Sequence, residues 1–248
     1  SLLRVDNVSK TFGSLVAVNG VSMTVEPGEL RAVIGPNGAG KTTFFNLISG
    51  FLTPTSGRIR FNGEDITGML PARRVWRGMA RTFQVTEVFP ELSVRENLRI
   101  AVEAAAGFRL RPWISREADA VVSTRVTELC DMGGLSLNED RAVGELSHGD
   151  QRATEIMMAL ALRPRLLLLD EPTAGMGDQE TYHVTELIRQ LHRDRGLSII
   201  LIEHDMRVVF HLADRIMVLA EGAVLAEGTP AEIAANEMVQ SAYLGKAA

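Results

Sequence analysis

The glycine-rich stretch Gly35-Pro36-Asn37-Gly38-Ala39-Gly40-Lys41-Thr42 fits the pattern G-x-x-x-x-G-K-[ST]. It follows an apolar segment, Leu30 to Ile34, that predicts a strand, and it leads into a predicted helix from Lys41 to about Ser49. Glycines let such a backbone turn so tightly that successive N–H groups point at a phosphate, toward which the helix directs its positive dipole end. Chance alone produces the pattern in about one chain of this length in a hundred. The stretch therefore predicts a phosphate-binding loop rather than an ordinary glycine-rich turn.

Four side chains, from two stretches of the sequence, carry functional groups that suit a phosphate-binding site. Lys41 supplies a full positive charge for the β- and γ-phosphates of a nucleotide, and the Thr42 hydroxyl can ligate Mg²⁺. Asp170 and Glu171 follow the apolar run Leu166 to Leu169. Acidic residues at the carboxyl end of a buried parallel strand lie in the crevice where α/β sheets bind ligands. Asp170 is therefore predicted to hold Mg²⁺ through water, and Glu171 to orient or deprotonate an attacking water. The alternative, a solvated acidic turn, is weaker because a phosphate loop precedes it.

The rest of the sequence alternates predicted strands and helices. The first 65 or so residues predict strands, the last of them from Arg58 to Phe61 with a tight turn at Asn62-Gly63. From Ser93 to about Leu162 the pattern is mostly helical. Beyond it, Ser198 to Ile202 and Arg215 to Leu219 predict buried strands between helices. Fully apolar strands that alternate with helices are typical of a parallel sheet covered on both faces, so the predicted fold class is α/β.

Composition and charge exclude several classes of protein. Hydrophobic residues make up 46% of the 248 residues and charged residues 23%, as in ordinary globular domains. The 26 basic and 31 acidic residues leave a net charge of −5, which argues against nucleic-acid binding through phosphate neutralisation. Cys130 is the only cysteine, so the chain cannot form an internal disulfide. The longest aliphatic run, Leu166 to Leu169, is far shorter than the roughly 20 residues of a membrane span, and we expect no signal peptide.

A third stretch, Leu146-Ser147-His148-Gly149-Asp150-Gln151-Arg152, opens a predicted helix just before the strand that ends in Asp170. It resembles the L-S-G-G-Q signature of the ATP-binding-cassette (ABC) ATPases, and the resemblance covers essentially the whole chain. Ser147 is predicted to cap the helix, and its hydroxyl and the neighbouring N–H groups form a second anion site. His148 stands where the family usually has glycine, which we interpret as a subfamily feature. Asp150 stands where glutamine is usual, and it places a carboxylate near a phosphate site.

The resemblance assigns roles to further residues. Gln84, after the predicted strand Met79 to Phe83, is similar to the Q-loop glutamine that touches Mg²⁺. His204 is similar to the switch histidine that contacts the γ-phosphate, and Phe12 to the aromatic residue that stacks on adenine. Ala174 to Asp178 matches the D-loop. The resemblance thus implies ATP and Mg²⁺ as cofactors, catalysis by Glu171, His204 and Lys41, metal ligation by Thr42, Gln84 and Asp170, and a nucleotide-binding set of Phe12, Gly35, Pro36, Asn37, Gly38, Ala39, Gly40, Lys41, Thr42, Thr43, Gln84, Ser147, Gly149, Asp170, Glu171 and His204.

Three weaker sequence matches favour one subgroup of the family. Ala80 to Gln84, Glu203 to Met206 and the tail Ala242 to Gly245 resemble the ATPases of branched-chain and other hydrophobic amino-acid importers. Importers of urea, amides or aromatic acids share much of this pattern and stay open as alternatives. So do the ATPase of lipopolysaccharide export and a soluble ABC scaffold of the iron–sulfur-assembly kind. A translation-factor ATPase is disfavoured, because it has two tandem cassettes and basic linkers.

The resemblance also implies an architecture and partners. We expect one ABC ATPase domain over 1–248, with a RecA-like core and an antiparallel β-subdomain from 1–85 and 163–248, and a helical subdomain inserted at 86–162. Two ATPase subunits, identical or paralogous, would hold ATP between the loop around Lys41 of one and Ser147 of the other. The expected partners are two membrane permeases and, indirectly, a periplasmic solute-binding protein, with no nucleic acid. The expected location is peripheral, on the cytoplasmic face of the inner membrane.

Overall fold

The computed structural model describes residues 1–82, 88–107 and 115–244. The chain forms two units. The first contains Ser1–Met79, Arg165–Glu171 and Arg189–Ala248, and the second contains Ala80–Pro164 and Pro172–Ile188. The first unit is therefore assembled from three separate stretches of sequence.

The first unit contains an antiparallel sheet. Its strands are β1 (Leu3–Phe12), β2 (Leu15–Val25), β4 (Ser56–Phe61) and β5 (Glu64–Asp65), in the order β2-β1-β4-β5. Along the start of β1 the buried Leu3 and Val5 flank the exposed Arg4, which is the alternation of a sheet with one covered face. Asn62 and Gly63 have φ values of 54° and 81° and form the tight turn that was predicted between β4 and β5.

The second sheet is mainly parallel. Its strands are β3 (Leu30–Ile34), β6 (Met79–Arg81), β7 (Leu166–Asp170), β8 (Ser198–Ile202), β9 (Arg215–Ala220) and β10 (Ala223–Gly228), in the order β10-β9-β3-β8-β7-β6. β3 pairs in parallel with β8 and β9, and β7 pairs in parallel with β8. Every residue of β3, β7 and β8 is buried, which confirms the predicted apolar strands of a sheet covered on both faces.

The helices that belong wholly to the first unit are α1 (Lys41–Ser49), α2 (Pro71–Trp76), α7 (Met206–Leu212), α8 (Pro230–Ala234) and α9 (Glu237–Leu244). α1 begins and ends where the sequence predicts. Gly50 terminates it in the left-handed conformation, with φ 86°, and donates its N–H to the Leu47 carbonyl at 3.3 Å.

Arg74 of α2 is a charged side chain enclosed in the first unit, with 2% of its surface exposed. Its guanidinium donates five hydrogen bonds to the carbonyl oxygens of Met69, Leu47, Ile48, Ile66 and Thr67. Burial lowers the pKa of Arg74 to about 10, and no described carboxylate forms an ion pair with it. Leu47 and Ile48 lie in the last turn of α1, so the guanidinium supplies donors to carbonyls at this helix end, where the Leu47 carbonyl also accepts the Gly50 N–H.

The second unit is helical. α3 (Val94–Ala105), α4 (Arg116–Met132) and α5 (His148–Ala161) pack against one another, and a 3₁₀ turn, Val143–Glu145, precedes α5. α6 (Asp178–Arg193) starts in this unit and continues into the sequence of the first. The predicted helical pattern is confirmed for α4 and α5, where the apolar residues at helical spacing are buried: Val122, Val126, Leu129, Ala153, Ile156, Met157 and Leu160. Of the helices within the described ranges, none has both the length and the apolar character that crossing a bilayer requires.

Candidate functional site

The loop between β3 and α1 has a backbone that requires glycine at two positions. Gly35 has φ 153°, and a Cβ atom there would lie 2.1 Å from the Leu219 carbonyl oxygen. Gly40 has φ 94°, and a Cβ atom there would lie 2.4 Å from the Ala17 carbonyl oxygen. Gly40 also provides no side-chain cap to α1. The loop thus packs closely on β9 and β2 and presents an uncapped helix N-terminus, which is a site for an anion.

Lys41 is the first residue of α1 and is 6% exposed. Its Nζ atom donates to the carbonyl oxygen of Gly35 at 2.6 Å and to that of Pro36 at 3.1 Å. Burial lowers the pKa of this ammonium, while the carboxylates of Glu171 and Asp170 oppose the shift. The loop carbonyls therefore hold the ammonium within the electrostatic reach of both carboxylates.

Glu171 and His204 face each other at the carboxyl ends of neighbouring parallel strands. Glu171 directly follows β7, with φ 47°, and its N–H donates to the Ile202 carbonyl at 2.9 Å. His204 follows β8, and its Nε2 atom lies 2.7 Å from Oε1 of Glu171. With Glu171 ionised, Nε2 carries the hydrogen of this bond. A non-glycine residue in the left-handed region is under backbone strain, which is common at functional sites.

These groups surround a cavity of about 520 Å³, within the size range of small-molecule sites. The sequence-predicted residues in its lining are Asn37, Gly38, Ala39, Gly40, Lys41, Thr42, Thr43, Glu171 and His204. Five further lining residues were not predicted: Leu15, Val16, Ala17, Glu221 and Gly222. The cavity therefore has a polar end at α1 and the strand ends, and Leu15 and Val16 add apolar surface from β2.

The turn Glu221-Gly222 between β9 and β10 is part of this site. Its two φ values, 50° and 79°, are those of a two-residue hairpin turn. The Gly222 N–H donates to the Ala39 carbonyl at 3.1 Å, and the Gly222 carbonyl accepts from the Asn19 N–H at 2.7 Å. The turn thus joins the phosphate loop to β2. The only sequence signal for it was a short apolar run on either side of Glu221-Gly222.

A few predicted residues of the first unit are not part of the lining of this cavity. Gly35 and Pro36 contribute the carbonyls that hold Lys41, and Asp170 is buried at the end of β7. Phe12 does not line the cavity. It is half-exposed at the end of β1, where the Lys10 Nζ atom lies 5.2 Å from its ring centroid. Gln84 lies outside the described residues.

Ser147 and Gly149 lie at the start of α5 in the second unit. Ser147 caps the helix as predicted, since its Oγ atom accepts the Asp150 N–H at 3.1 Å. The Gly149 N–H donates to Oε1 of Glu180 at 3.3 Å. Oδ2 of Asp150 accepts from the side-chain amide of Asn138 at 3.2 Å. Glu180 and Asn138 were not predicted as neighbours of this helix end, because both approach it only in the folded chain.

The donor set at the polar end of the cavity fits Mg²⁺ bound together with phosphate. Thr42 offers a hydroxyl and Asp170 a carboxylate, and Mg²⁺ prefers such oxygen ligands. The carboxylates of Asp170 and Glu171 oppose the lowering of the Lys41 pKa, as negative groups near an ammonium do. In the described part of the chain, no cluster of three or more His, Cys, Asp or Glu side chains could hold a metal ion. Mg²⁺ at Thr42 and Asp170 would therefore need the oxygens of a bound phosphate as further ligands.

The chain matches two family models. Residues 18–174 match the ABC transporter family, and residues 223–248 match a model described as branched-chain amino acid ATP-binding cassette transporter. A similar protein is the high-affinity branched-chain amino acid transport ATP-binding protein BraF of Pseudomonas aeruginosa. It is 41% identical over 99% of this chain and 98% of its own length.

Solved structures of ABC transporter cassettes are also similar to this chain. A crystal structure of the ADP conformation of an ATP-binding cassette of an ABC transporter has a TM-score of 0.86 and 30% identity and covers 98% of both chains. The dimeric structure of a bacterial ABC transporter cassette has a TM-score of 0.76 and 25% identity, covering 92% of this chain and 98% of its own. The predicted fold class and family are thus confirmed. The chain belongs to the ABC transporter family and is one of its ATP-binding cassettes, which are ATPases.

Proposed function

We propose that this chain is the ATP-hydrolysing subunit of an importer for branched-chain or other hydrophobic amino acids, with separate permease subunits. The single observation that carries hydrolysis is that Glu171 and His204 share one cavity with the phosphate loop. The substrate class is supported by the similarity to BraF over nearly the whole chain. It is also supported by the match of residues 223–248 to the branched-chain model.

In the proposed complex, the phosphates of ATP lie on the N-terminus of α1. Gly40 leaves this helix end uncapped, so the first amide groups of α1 can donate to phosphate oxygens. Lys41 then exchanges the carbonyls of Gly35 and Pro36 for the β- and γ-phosphates, to which its charge is better matched. The adenine ring of ATP extends toward Leu15 and Val16, and Phe12 would have to turn toward the cavity to stack on this ring.

Glu171 is the proposed general base. A water between Glu171 and the γ-phosphate attacks the γ-phosphorus atom while the bond to the β–γ bridging oxygen breaks. The Glu171 carboxylate accepts a proton from this water, and ADP and inorganic phosphate leave. Nε2 of His204 lies within hydrogen-bond distance of Glu171 and orients the carboxylate, and Lys41 stabilises the negative charge on the phosphates. The position of Glu171 directly after β7 supports this role.

Mg²⁺ is the proposed second cofactor. Thr42, Asp170 and Gln84 are the proposed ligands, Asp170 through water. Bound there, Mg²⁺ would neutralise phosphate charge.

The proposed assembly is an ATP sandwich between two cassettes, with the loop of Lys41 on one and Ser147 and Gly149 on the other. The dimeric cassette structure among the similar proteins supports such pairing. We propose a paralogous second cassette, two permeases and a periplasmic binding protein that acts through the permeases, which would place the chain at the cytoplasmic membrane face. We further propose that residues 1–85 and 163–248 form the RecA-like core and the antiparallel β-subdomain, and that 86–162 form the helical subdomain. The permeases would dock on the surface near Gln84 and on the helical subdomain.

Native purification from detergent-solubilised membranes tests this function. The tagged chain should bring down two permeases and a second cassette, and the reconstituted complex should take up labelled leucine only with ATP inside. The matched control is the same complex with Glu171→Gln, which should bind ATP and transport nothing. Recovery without any membrane protein would favour a soluble ABC scaffold. Uptake of urea or an aromatic acid instead of leucine would contradict the proposed substrate class.

A further inference from the structure

A carboxylate of the same chain lies on the N-terminus of α5. Oε1 of Glu180 accepts the Gly149 N–H at 3.3 Å, and Oε2 accepts the Gly177 N–H at 3.4 Å. Glu180 lies in the first turn of α6, and Gly149 is the second residue of α5. A Cβ atom at Gly149 would lie 3.5 Å from the Cβ atom of Glu180, so α5 and α6 approach closely here. One carboxylate thus joins α5 to the loop that precedes α6.

The neighbouring amide groups of α5 also have partners within the chain. The Asp150 N–H donates to the Ser147 hydroxyl, and the Gln151 N–H donates to the Ser147 carbonyl at 3.0 Å. At this helix end, the Gly149 N–H is therefore the amide that donates to Glu180. A phosphate that binds here competes with a group of its own charge, because the amide cannot serve both and the two anions repel each other.

We propose that Glu180 restrains α5, the helix that begins with the signature stretch, and we call the contact between Glu180 and Gly149 the latch. In the ATP-free cassette, its carboxylate holds the Gly149 amide. The γ-phosphate brought by the second cassette must displace it before ATP is enclosed. Once displaced, Glu180 keeps its contact with Gly177, so phosphate binding at α5 separates α5 from the loop before α6. The proposal rests on the ATP sandwich of the proposed function. It adds Glu180, which was not among the predicted site residues, as the residue that sets the ATP concentration at which the two cassettes associate.

Glu180→Gln tests the latch, in a Glu171→Gln background that prevents hydrolysis. The amide keeps the length of the side chain and one acceptor oxygen but removes the charge. The ATP concentration for half-maximal association, measured by light scattering with the partner cassette or with itself, should fall about fivefold. The affinity of the monomer for Mg-ATP should stay the same, because Glu180 contacts the signature helix and not the phosphate loop. The melting temperature should also change little.

Glu117→Gln is the matched control, since it removes the same charge from the first turn of another helix, α4, in the same unit. It should leave the association midpoint unchanged. An unchanged or raised midpoint in Glu180→Gln would overturn the latch while leaving the sandwich intact. If the Glu171→Gln parent itself shows no ATP-dependent association, the sandwich and the latch both fail.

Discussion

The Nε2 atom of His204 lies 2.7 Å from Oε1 of Glu171, although the two residues are 33 positions apart in the sequence. Parallel pairing of β7 with β8 brings them together, because it places Asp170 opposite Ile202. Glu171 is the first residue after β7 and His204 the second after β8, so both lie at the carboxyl ends of the paired strands. The carboxylate is thereby oriented before any nucleotide arrives. A base that is already positioned requires little rearrangement during the reaction.

Glu171→Gln should abolish ATP turnover and preserve ATP binding. The amide has the shape of the carboxylate, and its oxygen can still accept from His204, but it cannot take a proton from water. We expect the ATPase rate to fall at least a hundredfold, in line with loss of a general base. Phosphate release measures the rate, and nucleotide titration measures binding. Hydrolysis at the native rate would assign the base to another residue, with His204 the first candidate.

Lys41→Ala should remove productive ATP binding. The phosphate loop then loses the full positive charge that Lys41 supplies, in a partly dehydrated cavity where charge interactions are strong. We expect the affinity for Mg-ATP to fall about a hundredfold or more. Fluorescence titration with a labelled nucleotide measures it, and circular dichroism checks that the variant is folded. Native affinity in a folded variant would contradict the proposed site.

The elements around the phosphate loop could be predicted from the sequence because their patterns are local and strong. β3 and β8 are short strands of mostly apolar residues, and α1 lies between a glycine loop and the capping Gly50. The buried Val184, Leu187, Ile188 and Leu191 of α6 also follow helical spacing, which is a local pattern of the same kind.

The missed residues reach their positions through tertiary structure alone. Glu221 and Gly222 lie about 180 positions beyond the loop that they contact, and Glu-Gly is a weak turn signal. Glu180 meets Gly149 only because α5 and α6 approach each other. Arginines are usually exposed, so nothing local indicated that Arg74 is buried under five carbonyls.

Arg74→Met should strongly destabilise the protein. Methionine fills much of the volume, but it removes all five hydrogen bonds that Arg74 donates, among them the one to the Ile48 carbonyl at the end of α1. We expect the free energy of unfolding to fall by about 3 kcal/mol or more, measured by urea denaturation. Arg73→Met is the matched control, since Arg73 is exposed in the same helix, and it should change stability by less than about 0.5 kcal/mol. Equal effects of the two substitutions would contradict a structural role for the Arg74 hydrogen bonds.

Cys130 should be unreactive in the folded protein. Burial raises the pKa of its thiol from 9.0 to about 11, and the side chain has no exposed surface. At pH 8, a shift of this size leaves about a hundredfold less thiolate than in the unfolded chain, and only the thiolate attacks alkylating reagents. Iodoacetamide should therefore modify Cys130 slowly in buffer and rapidly in 8 M urea, as mass spectrometry would show (the urea concentration is about that needed for full unfolding). Rapid modification in buffer would place this part of α4 in an open state.

The same pKa shift makes the contribution of Cys130 to stability depend on pH. Because the folded-state pKa lies above the unfolded value, the folded chain holds the proton more tightly. The contribution is therefore complete below about pH 9 and is lost as the pH rises toward about 11. Lysines and tyrosines also titrate there, so the measurement is the difference in unfolding free energy between the parent protein and Cys130→Ala. That difference should be constant from pH 7 to about 9 and shrink above it. A difference that stays flat to pH 11 would mean that the thiol titrates alike in the folded and unfolded chains.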